Sequence, residues 1–115
     1  MITVSPGPGT TPPTHVAPAL QGYLLDLVDE TRRDPRLALG VSPRGSLALF
    51  RGAQALAALD GRAYVVPEDI KSLALPVFRK RMILKPEQVM RGVDEGTVIR
   101  DVLDRVDVPV FKAEE

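Results

Sequence analysis

Leu20, Tyr23, Leu24, Leu27 and Val28 recur at i, i+3, i+4, i+7 and i+8. That spacing lines one side of an α-helix and cannot line one face of a strand. Asp26, Asp29 and Glu30 fall off the stripe and form a solvated face. A helix beginning at Pro18 therefore has one side to bury. Arg32 and Arg33 sit in its last turn, where cations complement the helix dipole, and Pro35 closes it. A lone helix of this length is marginal in water, so the stripe demands partners.

The partners follow along the chain. After the connector "PRLALG" (35–40), Ser42 is a good N-cap and Pro43 suits the first helical position. The second helix runs from Pro43 to about Asp60, with Gly61 as its stop. Its body carries Ala48, Ala53, Ala55, Ala57 and Ala58, small residues that let neighbours approach closely, as expected of a central helix. "VVPEDIKSLALPVF" opens a third helix, with Pro67 first and Glu68 and Asp69 in the first turn. Ile70, Leu73, Ala74 and Val77 fall at core spacing, and Pro76 should kink or end this helix. "RKRMILKP" (79–86) reads as extended. A last helix starts near Asp94 and turns Val98, Ile99, Val102, Leu103 and Val106 inward. The expectation is an all-α fold: a small bundle of about four helices, with one short extended segment near 82–86.

Residues 1–14 are rich in Pro, Gly and Thr, the composition of a disordered linker or cloning remnant. The helical domain is expected over 15–109, and 110–115 form a frayed tail. A chain of 115 residues suffices for one domain. With no apolar segment of membrane-spanning length and no basic-then-hydrophobic start, the expected location is the cytoplasm, without membrane partners.

Several chemistries lack their residues. There is no cysteine, and the one histidine is His15, so thiolate and imidazole metal sites have no ligands. No oxygen-ligand loop appears, and no metal site is expected. The single Lys-Ser pair, Lys71-Ser72, follows Ile70 inside a helix and is no phosphate-binding loop. No catalytic residues are expected in this fragment. Fifteen basic residues balance fifteen acidic ones, and aromatics are few, which argues against nucleic acid as a partner.

Two cationic features remain. Arg44 follows Ser42 and Pro43 into the first turn of the second helix, where unpaired backbone amides already make a partly positive end. Either its stem packs on Leu47 or Ala48 with the head in water, or it faces an anion in front of the helix. The run Arg79-Lys80-Arg81 is either a set of cations near a helix C-terminus or a nucleic-acid patch.

The stretch "LGVSPRGSLALFRGAQALAALDGRAYVVPEDIKSLALPVFRKRMIL" (39–84) closely resembles the C-terminal lid of the MoxR family of AAA+ ATPases. It carries G-x-S-P-R-x-x-L-A-L, an alanine-rich helix, a G-R-x-Y-V turn, P-E-D at a helix start and a basic R-x-R-x-I-L exit. The resemblance extends from about His15 to about Pro109. It implies a small helical domain attached to an α/β core, with ATP and magnesium bound between them in the intact protein. Arg44 matches the sensor 2 arginine that reaches the terminal phosphates, presented by Ser42 and Pro43. The resemblance further implies a homo-oligomeric, chaperone-like ring that remodels proteins, with von Willebrand factor A-type partner proteins. It departs from the family at Val66, where Thr is usual and would cap the third helix, and at Gly45, where Ala is common and glycine should loosen the turn. Without Walker A and B segments the fragment should not hydrolyse ATP by itself. The alternative is a freestanding helical module that binds protein or nucleic acid through 79–81.

Overall fold

A computed structural model describes residues 14–109; the expected linker (1–14), apart from Thr14, and the expected tail (110–115) lie outside them. Thr14 is held, its carbonyl accepting from Gln54 Nε2 (2.8 Å). Helix α1 spans Pro18–Arg33, α2 Pro43–Leu59, α3 Pro67–Phe78, α4 Pro86–Met90 and α5 Glu95–Arg105. Two short strands, β1 (Leu37–Leu39) and β2 (Ile83–Leu84), pair antiparallel, and a 3-10 turn covers Arg79–Arg81. The fold is that of a helical bundle with a minimal sheet.

The apolar spacing works as its period dictates. Leu20, Tyr23, Leu24, Leu27 and Val28 are all buried on α1, and Val98, Ile99 and Val102 on α5. Leu103 and Val106 are only partly covered. Helices α1, α2, α3 and α5 each pack on two of the others, closing a circuit around Leu49, Ile70, Phe78 and Ile99. Helix α2 is one member of that circuit, and no helix is central. Its buried face is Gly45, Leu49, Ala53 and Ala57, every fourth residue, and it meets α3 most extensively. Near-bare positions at this spacing let the two helices sit close.

Four local expectations need correction. The connector 35–40 contains a strand, because Leu37 and Leu39 face Leu84 and Ile83 across a ladder that a helix-only reading has no place for. Arg79–Arg81 is helical in the 3-10 sense, so the extended piece begins at Met82, which is buried. The helix Pro86–Met90 was not foreseen; at five residues it is too short to show a period. Of the two outcomes expected at Pro76, a kink or an end, the end does not occur: helix α3 continues two residues to Phe78. Proline removes one amide bond, but Pro76 lies on the exposed side while Phe78 is 1% exposed, so burial of the ring outweighs the missing bond.

The return from α1 to β1 is tied by charge. Asp34 is buried, and its carboxylate accepts from the Arg36 amide (3.0 Å), Arg36 Nε (2.9 Å) and Nη2 (2.7 Å), and Arg105 Nη2 (3.2 Å). Arg36 Nη1 also reaches Asp101 on α5 (2.7 Å), and Arg105 Nε reaches Glu30 on α1 (3.1 Å). The cluster stitches α5 to the end of α1. Arg36 is the main reason the Asp34 carboxyl is held down at about 2, from an ordinary 3.8. Gly40 then passes so close to α1 that an added Cβ would lie 2.7 Å from Arg32 Cα and 2.8 Å from the Thr31 carbonyl oxygen.

Asp34 binds a proton more weakly folded than unfolded, so its contribution is complete above the unfolded value of 3.8 and disappears as pH falls towards about 2. Urea unfolding of the chain at stepped pH should show a loss of about 2 kcal/mol from this group across that window. Asp34→Asn should be less stable at pH 7 and show a flatter acid limb. Gly40→Ala should cost roughly 1–3 kcal/mol in the same assay, because the obstructing atoms are backbone and cannot rotate away.

Candidate functional site

The start of α2 is anchored from below. Val41, fully buried, donates its amide to Thr31 Oγ1 (3.0 Å). That hydroxyl in turn donates to the Val28 carbonyl (2.7 Å), so one buried threonine is both acceptor and donor at the end of α1. Arg32 Nη1 donates to the Val41 carbonyl (3.3 Å). The next residues, Ser42, Pro43 and Arg44, are exposed.

Ser42 does not cap with its hydroxyl. Pro43 has no amide to satisfy, and the Gly45 amide is taken by the Ser42 backbone carbonyl (2.9 Å), which leaves the side chain less to do. Gly45 is buried, and a Cβ there would overlap Val41 Cγ1. The expected loosening of the turn is therefore not the main consequence of glycine at this position. Its bareness makes room for Val41.

Arg44 makes no hydrogen bond or ion pair among the described residues. Its setting differs from that of the structural arginines. Arg36 and Arg105 are committed to Asp34. Arg62 grips Asp69 with two parallel bonds of 2.8 Å, and its Nε reaches Asp60 (2.9 Å). Gly61, with φ of 77°, allows this: the Arg62 amide returns to the Ala57 carbonyl (2.9 Å) and the chain reverses towards α3. Asp69 Oδ2 also accepts from the Val66 amide (2.9 Å), the half of a capping box that does not need a hydroxyl at Val66, and the Asp69 amide goes to the Val66 carbonyl (3.0 Å). The Arg62 guanidinium, with that amide bond, holds the Asp69 carboxyl below the usual range despite its burial.

The basic run does not act as one patch. Arg79 lies towards the start of α5, with Nη2 3.7 Å from where a Cβ on Gly96 would sit. Arg81 turns the other way, donating to the Val77 carbonyl (3.2 Å) with its stem near Gly45. Carbonyls at a helix C-terminus take such donors readily. The structure brings Ser42, Pro43, Arg44 and Arg81 to one end of the bundle and separates Arg79 from them. No cluster of three metal-ligating side chains occurs among the described residues, and none of their helices is long and apolar enough to cross a membrane.

Sequence reasoning missed the Asp34 cluster and the Arg62–Asp69 pair. The G-R-x-Y-V and P-E-D motifs contain both members of the second. Seven residues of separation across a turn did not reveal that they meet.

The AAA lid domain family matches residues 29–102. The uncharacterized protein YeaC of Bacillus subtilis is 42% identical over 95 residues, 83% of this chain and 30% of that protein. Chaperone MoxR1 of Mycobacterium tuberculosis is 33% identical over 104 residues, 83% of this chain and 28% of that one. The crystal structure of a candidate ATPase from Cytophaga hutchinsonii superposes with a TM-score of 0.79 at 28% identity, covering 84% of this chain and 32% of the other. The chain thus spans under a third of the length of these relatives. The family match over most of the described residues, the helical bundle and the S-P-R helix start agree, and the chain belongs to the AAA lid domain family as the lid region of a MoxR-type AAA+ ATPase.

Proposed function

We propose that this domain is the mobile lid over the nucleotide of an ATP-driven ring protein, and that Arg44 is its sensor 2 residue. The observation that carries the reading is an exposed guanidinium at a rigidly anchored helix start, with no partner among the described residues, whereas Arg36, Arg62 and Arg105 are neutralised by carboxylates. The nucleotide, ATP with magnesium, is bound by an α/β core of the same protein. That core supplies the Walker segments and the hydrolytic machinery, and the lid by itself has no ATPase activity.

A guanidinium facing a phosphate makes charge-assisted, potentially bidentate bonds that strengthen as water is excluded. When the terminal phosphate is cleaved and leaves, Arg44 loses its counter-charge. The closed lid then loses a contact that the open lid never had, and the population shifts. In a homo-oligomeric ring, each lid transmits its rotation to a neighbour. The name of the mycobacterial relative, a chaperone, supports a chaperone-like outcome, protein remodelling. Von Willebrand factor A-type proteins are the partners that the family resemblance implies.

Arg44→Ala in the intact ATPase should weaken ATP binding or turnover roughly ten- to hundredfold, the equivalent of one lost bond to a charged group at about 1.5–3 kcal/mol. The isolated 115-residue chain carrying the same change should unfold at an unchanged urea midpoint, since the side chain supports nothing. Unaltered turnover in the intact variant would remove Arg44 from the nucleotide site.

A further inference from the structure

An open cleft of ≈ 380 Å³ lies between the end of α1, strand β1 and the start of α2, lined by Arg32, Ala38, Leu39, Gly40, Ser42 and Arg81. Two of its six lining residues are arginines and none is acidic. Neither arginine forms an ion pair among the described residues, in common with Arg44, Arg51, Arg79, Arg91 and Arg100 and unlike Arg33, Arg36, Arg62 and Arg105; what sets Arg32 and Arg81 apart is that they line one cleft. In a chain with as many acidic as basic residues, this concentration of unbalanced charge is local.

The two side chains are also held in place. Arg32 is pinned by the Val41 carbonyl (3.3 Å) and Arg81 by the Val77 carbonyl (3.2 Å). A guanidinium has five N–H donors, so most of each fork stays available. Arg81 reaches this position because residue 45 has no side chain. A Cβ on Gly45 would come within 3.2 Å of Arg81 Cδ as well as overlapping Val41. The arginine stem therefore crosses the first turn of α2 beside the residue that follows Arg44. Two fixed cations lining one open gap repel each other until an anion enters, and an extended polyanion satisfies both forks.

We propose that Arg81 and Arg32 are further phosphate-contacting residues, which extend the Arg44 end of the lid into one cationic mouth for the nucleotide's phosphate chain. The inference rests on the reading of Arg44 given above for its ligand, but on different side chains. Arg81, which the sequence offers only as part of a basic run, thereby acquires a role distinct from those of Arg79 and Lys80.

The test compares Arg81→Ala, Arg81→Lys, Arg32→Ala and Arg44→Ala in the intact ATPase, reading affinity for fluorescent ATP and displacement by inorganic tripolyphosphate. Arg81→Ala should weaken both roughly tenfold, as for a lost bond to a charged group. Arg32→Ala should weaken both in the same direction. Arg81→Lys should restore only part of the loss, because a point charge replaces a fork. Thermal midpoints should fall by no more than the loss of one hydrogen bond to a carbonyl explains, and if Arg81→Ala fails to fold, Arg81→Lys and Arg32→Ala decide. Parent-like affinity in the Arg81 and Arg32 variants, with Arg44→Ala impaired, overturns this proposal and leaves the Arg44 reading standing. Impairment in the Arg81 and Arg32 variants with Arg44→Ala unaffected removes Arg44 and keeps the cleft. Unchanged nucleotide binding accompanied by lost binding of an acidic peptide also overturns the proposal.

Discussion

One buried hydroxyl organises the functional end of this domain. Thr31 Oγ1 accepts the Val41 amide and donates to the Val28 carbonyl. That joins the last turn of α1 to the residue just before the S-P-R helix start. Both groups are inaccessible to water, so a missing partner there would carry the full penalty of an unsatisfied buried polar group. Gly40 makes the same approach possible sterically, and Val41 fills the space left by Gly45. The direction in which Arg44 leaves the bundle is set by this joint more than by anything Arg44 itself touches.

Charge is divided between two tasks. Asp34 and Asp69 are the buried carboxylates, and each is matched by a forked arginine that also reaches a second acid: Arg36 to Asp101, and Arg62 to Asp60. Pairs of this kind secure chain reversals, one after α1 and one after α2. A buried carboxylate left unmatched would be costly, so these arginines are committed to structure. The arginines at the start of α2 have no such obligation. A formal net charge of zero therefore conceals buried carboxylates that are neutralised and surface charges, Arg44 among them, that are not.

Helices with a full apolar stripe are legible in sequence because burial repeats with the helical period. Pro18, Pro43 and Pro67 each stand at the first position of the helix they open, and Gly61 ends α2 with the positive φ that a side chain would resist. The misreadings share a cause. The strands of three and two residues, and the helix of five, are shorter than any period that could announce them. Their conformation follows from what lies alongside: β1 exists because β2 does. Ser42 has the right chemistry for a cap, yet its own backbone carbonyl and Pro43 leave it little to cap. Val66 has no hydroxyl to accept the Asp69 amide, which goes to the Val66 carbonyl instead, while the Asp69 carboxylate takes the Val66 amide.

Local sequence by itself determined the four long helices, where each begins, which side of each carries the apolar stripe, and that a fixed cation stands in the first turn of α2. These are properties of spacing, dihedral preference and charge within a few residues, and they do not depend on the remainder of the chain. Only the tertiary structure decided which arginines are consumed and which remain available. Arg62 meets Asp69, Arg105 meets Asp34, and Arg81 crosses Gly45, through contacts that no local pattern encodes. Opposite charges attract over distance, but pairing requires two side chains to arrive at one place, and arrival is set by the packing of helices far apart in sequence.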